Sequence, residues 1–199
     1  MDTIPNIRDG RASDVDTLAA TLTDSFSRDP VMNWVIPRTD LYPLYFRMLI
    51  REVYLPRGMI HLEGKGRAAA LWLPPEERFE MPPRMSLLNL AWDLLRHEGL
   101  RPFVRIHRQG RVFARHMPRE PHYYLQFIGC RHAEQGRGIG SALLKCGTRV
   151  CDERGLPAYL ESSNRLNVPL YERHGFEVQA QEEVAAGGPT AWFMWREPR

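Results

Sequence analysis

The most constraining stretch of the sequence runs from residue 122 to 161, where an apolar strand, a turn with glycine at alternate positions, a helix and a second strand follow one another. His122 to Cys130 carries Tyr123, Tyr124, Leu125, Phe127 and Ile128, the aromatic and branched content of a buried strand. The turn is Gln135-Gly136-Arg137-Gly138-Ile139-Gly140. Without Cβ atoms at positions 136, 138 and 140 the chain can bend sharply and bring backbone N–H groups close to an anion. Ile139, Leu143, Cys146 and Val150 then recur at helical spacing. The first N–H groups of that helix lack internal partners and sit at the positive end of its dipole. Such a turn suits a diphosphate, with Arg137 as an added charge. Taken alone, the turn is equally compatible with a plain tight strand–helix connection. Gly155-Leu156-Pro157 closes the helix, and Ala158 to Glu161 is the next strand, so the unit is a right-handed crossover between parallel strands.

Other phosphate motifs do not fit. No Gly-Lys-Ser/Thr ending is present, so the turn is not a P-loop. The spacing is Gly-x-Gly-x-Gly, and it follows a strand late in the chain, unlike an N-terminal dinucleotide-binding unit.

The flanking segments predict a mixed α/β sheet. Asn6 to Arg8 reads as a strand, with Ser13 as N-cap and Asp16 as capping-box partner of a helix whose apolar face is Val15, Leu18, Ala19, Leu22 and Phe26. Asp29-Pro30 ends it, a second helix runs from Pro43 to Tyr54, and Pro56-Arg57-Gly58 turns. Met59 to Leu62 and Ala68 to Leu73 form a hairpin. Residues 76–118 are a helical elaboration, a Pro82-Pro83 linker and helices near Met85 to Arg96 and Pro102 to His116. The arginines and histidines of the latter read as a solvated face. Val168 to Arg173 is a short helix, and Phe176 to Ala180 and Ala191 to Trp195 are strands.

Composition narrows the function. A chain of 199 residues suits a single domain, 1–199, able to fold without disulfide or metal. A net charge of +3 is too small to indicate nucleic acid or an anionic membrane. No apolar run of about 18 residues is present, and the N-terminus lacks the blocks of a secretion signal. Cys130, Cys146 and Cys151 are sparse and odd in number, which predicts reduced thiols and a cytoplasmic location, with Cys130 as a core group. The oligomeric state stays open, a homodimer included.

The turn and the helix start Ser141-Ala142-Leu143-Leu144 resemble the acetyl-CoA motif of the GNAT superfamily, and Leu170-Tyr171-Glu172-Arg173-His174-Gly175-Phe176 resembles its second signature. A looser likeness to the puromycin N-acetyltransferase type rests on Glu120-Pro121, Leu160-Glu161-Ser162-Ser163, Asn167-Val168-Pro169-Leu170-Tyr171 and Trp192-Phe193-Met194. The resemblance implies a GNAT fold, in which a mixed central sheet splayed between two parallel strands is flanked by helices. It also implies acetyl-CoA as co-substrate, without a metal. Main-chain groups near Phe127, Ile128 and Cys130 would bind the pantetheine arm as an extra strand. Backbone N–H groups of Gln135, Gly136, Arg137, Gly138, Ile139, Gly140 and Ser141 would hold the diphosphate. Asn164, or its nearer alternative Asn167, would contact the cofactor, although either also fits a loop or cap. Tyr171 matches the tyrosine that protonates the departing thiolate; with an ordinary pKa of about 10 it stays protonated at neutral pH. The strand N–H near Phe127 or Ile128 is the candidate oxyanion donor.

The strand glutamate that some relatives use as base is replaced by Tyr124. Glu161, His122 and Tyr124 are candidates acting through water, and each also reads as structural. Phe26, Asp29, Trp34 and Tyr45 are the candidate substrate contacts, with Asp29 able to bind a cationic amine or simply to turn the chain before Pro30. The expected activity is acetyl transfer to the primary amine of a small molecule. Acetylation of a protein N-terminus or lysine, and a degenerate acyl-CoA-binding sensor, are the alternatives.

Overall fold

The structure, a computed structural model, describes residues 6–80 and 85–199, with Met85 and Ser86 as backbone. The expected Pro82-Pro83 linker and the extreme N-terminus lie outside the described residues.

Among the described residues the apolar runs pair into one seven-stranded sheet. Its strands are β1 (Ile7–Asp9), β2 (Met59–Glu63), β3 (Ala68–Leu73), β4 (Tyr123–Cys130), β5 (Ala158–Ser162), β6 (Glu177–Glu183) and β7 (Thr190–Arg196), in the order β1-β2-β3-β4-β5-β7-β6. Neighbours are antiparallel except β4 and β5, which run parallel. The expected mixed sheet is therefore present, and its seam lies at β4–β5.

β3 shows why the sheet is covered on both faces. Ala68, Ala70 and Trp72 pack into one apolar layer, and Ala69, Leu71 and Leu73 into the other. On the first side lies α7 (Ile139–Glu153), with α8 (Val168–Glu172) beside it. On the second lie α1 (Val15–Phe26), α2 (Pro30–Val35) and α3 (Tyr42–Leu49). A π-helical stretch, Ile50–Tyr54, and α4 (Leu55–Arg57) continue α3 without a break. The chain thus stays helical past Pro56, where a turn is expected from the sequence, and leaves the helix at Gly58. Pro56 follows the π-helical stretch, where the Leu55 N–H reaches back five residues to the Ile50 carbonyl, and this wider turn accommodates the missing N–H.

Gly147 of α7 sits directly on Trp72, which is fully buried. A Cβ at position 147 would lie 2.5 Å from Trp72 Cε2. Although alanine normally gains roughly 1 kcal/mol over glycine in a helix, Gly147→Ala is expected to destabilise the protein by about 2 kcal/mol, because the indole has no room to retreat. Urea unfolding checks this; an unchanged or raised midpoint would show that the layer can relax.

Two sequence expectations are corrected at the N-terminus. The Ser13 and Asp16 capping box does not form. Asp14 instead accepts from the Arg11 N–H at 2.9 Å and takes both Arg8 guanidinium nitrogens at 2.7 Å. Asp16 turns outward to Arg47 at 2.6 Å. Asp29 does more than turn the chain: its Oδ1 accepts the Met32 N–H at 2.8 Å and caps α2, a helix the sequence reading did not anticipate.

The helical elaboration appears as α5 (Met85–Glu98) and α6 (Arg101–His116). The cations of α6 are not all solvated. Arg105 donates to the Trp34 carbonyl at 2.8 Å with its guanidinium 4.9 Å from the indole centroid. His116 stacks on Phe193 at 4.0 Å and contacts Glu182 at 2.7 Å. These contacts anchor α6 to α2 and to the β6–β7 end of the sheet. No helix among the described residues is long and apolar enough to cross a membrane.

Candidate functional site

The parallel ladder is short. β4 and β5 pair at Tyr123–Ala158, Tyr124–Tyr159 and Leu125–Leu160, and there the ladder ends. β4 continues along β3 to Cys130, while Glu161 and Ser162 of β5 stay with β7. The two central strands therefore splay, and past Leu125 the β5-facing backbone edge of β4 has no strand partner. Exposed N–H and C=O groups of this kind accept an extended guest as an added strand.

Gln126 sets how β4 enters the splay. Leu71 faces Phe127 but Trp72 faces Leu125, so Gln126 is the extra residue of a β-bulge. The bulge inverts the alternation. Tyr123 and Leu125 point to the α7 layer before it, whereas after it Phe127 points to the α1 layer and Ile128 to the α7 layer. Phe127 is the hub of an aromatic cluster, with the rings of Phe26, Tyr45, Phe46 and Tyr54 at 5.5 to 6.4 Å. The Tyr54 hydroxyl reaches inward to the Gln126 amide oxygen.

A cavity of about 70 Å³ fills the splay, lined by Phe26, Asp29, Gln126, Ile128, Glu161, Ser163, Asn167 and Tyr171 among others. Three titratable groups converge on it. Burial pushes the Tyr171 phenol well above its ordinary value, with the Asp29 charge adding to the effect. The ring packs edge-on to Phe176 at 6.2 Å. Burial also raises the Asp29 carboxyl, against the Met32 N–H and the Ser163 hydroxyl, which both donate to it.

Glu161 is the most perturbed acid. Enclosure by protein pushes its pKa from 4.5 up to about 7, with Tyr124 and Tyr159 pulling the other way. Neither Glu161 Oε1 nor the Tyr159 hydroxyl completes a well-formed hydrogen bond within the protein. The carboxyl is thus close to two phenols but not saturated by them, and it titrates near neutrality, where a general base works best.

The glycine turn lies beyond the end of β4. Gly136 and Gly138 adopt φ of +77° and +74°, which explains glycine at both positions. The N–H groups of Gly136, Arg137, Gly138, Ile139, Gly140 and Ser141 have no backbone acceptor among the described residues; the first helical bond runs from Ala142 N–H to the Gly138 carbonyl. Six free donors at the N-terminus of α7 fit a diphosphate. Side chains brace the turn: Gln135 Nε2 donates to the Cys130 carbonyl at 3.3 Å, Arg137 pairs with Glu134 at 3.1 Å, and the Ser141 hydroxyl meets His174 Nε2 at 2.7 Å.

The structure sorts the remaining candidates. Asn167 lines the cavity, whereas the Asn164 side chain accepts the Leu166 N–H at 3.0 Å and caps a short 3-10 turn. Phe26 and Asp29 reach the cavity; Trp34 and Tyr45 do not, the first being held by Arg105 and the second packed on Phe46 and Phe127. Of the three candidate bases only Glu161 lines the cavity. Tyr124 points at Glu161, and His122 packs on Tyr159 and Trp195 with Nδ1 2.6 Å from the Glu120 carbonyl oxygen. The Cys130 thiol, at the strand end, is pushed up to about 11 by burial and is no nucleophile at neutral pH. Gln126 and Ser163 were missed. A lone amide inside an otherwise apolar strand was the available signal for the first.

Comparison with known proteins agrees with this geometry. The model described as the acetyltransferase (GNAT) family matches residues 68–176. An uncharacterised N-acetyltransferase of Schizosaccharomyces pombe is 29% identical over 191 residues, covering 84% of this chain and 72% of the relative. A Corynebacterium glutamicum structure, described as a histone acetyltransferase and related acetyltransferase, superposes with a TM-score of 0.70 at 20% identity, covering 99% of this chain and 98% of that one. Arylalkylamine N-acetyltransferase 2 of Aedes aegypti superposes with a TM-score of 0.62 at 11% identity, covering 99% and 100%. At such identities the structural likeness speaks to the fold alone.

Proposed function

Because the chain belongs to the GNAT acetyltransferase family, we propose that it transfers an acetyl group from acetyl-CoA to the primary amine of a small molecule, in the cavity between β4 and β5. The observation that carries the reading is the convergence of Tyr171, Glu161 and Asp29 on one cavity beside the free edge of β4.

When bound, acetyl-CoA supplies an activated thioester carbonyl. The β4 edge at Phe127, Ile128 and Cys130 takes the pantetheine arm, the N–H groups from Gly136 to Ser141 take the diphosphate, the Gln135 N–H being used instead on the His132 carbonyl, and Asn167 contacts the arm. Asp29 attracts the cationic amine, and Glu161 accepts its proton, directly or through water, so that the neutral amine can attack. The β4 N–H near Ile128 donates to the developing oxyanion. As the C–S bond breaks, the Tyr171 hydroxyl gives its proton to the thiolate, and the second proton lost by the attacking nitrogen returns to the Tyr171 oxygen, leaving amide, thiol and the one proton held by Glu161.

The narrow cavity and its two carboxyls, Asp29 and Glu161, favour a slender, cationic acceptor. Cys130, Cys146 and Cys151 are all free, consistent with a cytoplasmic enzyme. Thiol release from acetyl-CoA over a panel of small primary amines and short peptides tests the proposal. Turnover is expected on small amines; turnover on peptides alone would overturn the acceptor assignment.

The turn gives a separate prediction. Nothing lies within 4 Å of a Cβ built at Gly138, so bulk is tolerated, but its positive φ is not open to a branched residue. Gly138→Val is therefore expected to raise KM for acetyl-CoA about tenfold by moving the donor N–H groups, roughly one lost charge-assisted hydrogen bond. The strained backbone should also lower stability by about 1–3 kcal/mol, so KM is measured well below the variant's thermal midpoint. An unchanged KM would remove the diphosphate from this turn.

A further inference from the structure

A second cavity, of about 490 Å³, opens at the β1–β2 edge of the sheet, against the middle of α7. Its floor is apolar, with Leu55, Met59 and Val150, and its polar lining carries Asp9, His61 and Arg149. Asp9 and His61 are directly opposite each other on β1 and β2, so both side chains stand on the same face of the sheet.

None of these polar groups is held firmly by the fold. Asp9 makes no ion pair among the described residues, and Arg149 has only a loose contact with Glu153 at 3.6 Å, both side chains being mostly exposed. His61 is 3% exposed, yet its Nδ1 has no hydrogen-bond partner. A buried polar atom left unmet in this way calls for a ligand or water. Asp9 and Arg149 are close enough to act on the His61 ring in opposite directions, Asp9 raising and Arg149 lowering its affinity for a proton, while burial lowers it most. The same two charges bear oppositely on Cys146. An unpaired carboxylate and a guanidinium held only by an exposed, solvent-screened pair with Glu153 therefore stand over an apolar floor, beside an unmet imidazole.

We infer that this cavity binds a small zwitterion with an apolar body, an α-amino acid with an aliphatic side chain, its carboxylate on Arg149, its ammonium donating to Asp9 and to the unmet His61 Nδ1, and its side chain on the apolar floor. The occupied site is linked to the acyl-transfer cavity through one residue. Tyr54 lines this second cavity, while its hydroxyl bonds Gln126, which lines the first. Tyr54 belongs to the π-helical stretch, a geometry that recurs at functional sites. The binding does not depend on the acyl-transfer reading; only its consequence does.

Calorimetric titration of the whole protein with L-leucine tests the site, with L-leucinamide and 4-methylpentanoate as probes lacking the carboxylate and the ammonium respectively. Saturable binding of leucine is expected, with both other probes at least about tenfold weaker, and with Arg149→Gln and Asp9→Asn each weakening leucine about tenfold. Both variants alter exposed side chains and should leave the thermal midpoint unchanged. No saturable leucine binding up to about 50 mM, equal binding of 4-methylpentanoate, or binding that survives both substitutions would overturn the proposal. Survival of both would place the leucine amine in the acyl-transfer cavity instead. On leucine binding the Gln126 side-chain amide resonances should shift in wild type but not in Tyr54→Phe; resonances that stay fixed in wild type would refute the link.

Discussion

Tyr171→Phe should lower kcat by about 10²-fold or more while leaving KM for acetyl-CoA nearly unchanged. The substitution removes one oxygen and keeps the ring, whose edge-on contact with Phe176 holds the short α8 in place. The fold therefore has no reason to move. What is lost is a proton donor: burial holds the phenol protonated far above neutral pH, and a thiolate leaving without a proton is a poor leaving group. Steady-state thiol release, with a thermal melt as control, separates the outcomes. An unchanged kcat would mean that the thiolate is stabilised elsewhere, and a raised KM alone would make Tyr171 a binding residue.

Glu161→Gln is expected to show opposite effects on rate and stability. The rate should fall by about 10²-fold, and the acidic limb of the wild-type pH profile, centred near pH 7, should disappear. Stability should change the other way. The Glu161 carboxyl titrates at about 7 in the folded protein against an ordinary 4.5, so between those values the folded state binds more protons than the unfolded state. Wild-type stability contributed by this group is full below pH 4.5, declines as pH rises towards 7, and stays lost above it. The neutral amide carries no such penalty, so the variant should match wild type at pH 4 and exceed it at pH 8 by up to roughly 3 kcal/mol. Urea midpoints at the two pH values measure this. A variant less stable than wild type at pH 8 would show that the carboxylate is held by bonds the amide cannot make, and that Glu161 is structural.

Much of this site could be read from the chain because its chemistry is local. The alternate glycines from 136 to 140 follow from backbone conformation, and two of them take the positive φ that excludes other residues. The strand before them and the helix after them follow from side-chain pattern, and Tyr171 from its place in the short helix. What could not be read depends on contacts distant in sequence. The bulge at Gln126 is a choice between pairings with β3, and the uninterrupted apolar character around it hides the switch of faces. Asp29 reads as a turn residue until α2 and Ser163 are brought to its two oxygens. Trp34 and Tyr45 look like pocket aromatics, but α6 and Phe127 claim them for packing. Glu161 is one polar residue at a strand end, and its raised pKa arises from enclosure by layers distant in sequence, against the opposing pull of Tyr124 and Tyr159.

The most direct test of the central claim is a calorimetric titration of the intact protein with acetyl-CoA in the absence of any amine. Saturable binding of one molecule per chain, with Kd in the micromolar range of about −8 kcal/mol and weakened by Gly138→Val, is the predicted result. The absence of saturable binding would contradict the assignment of the glycine turn and the β4–β5 splay to the acyl donor.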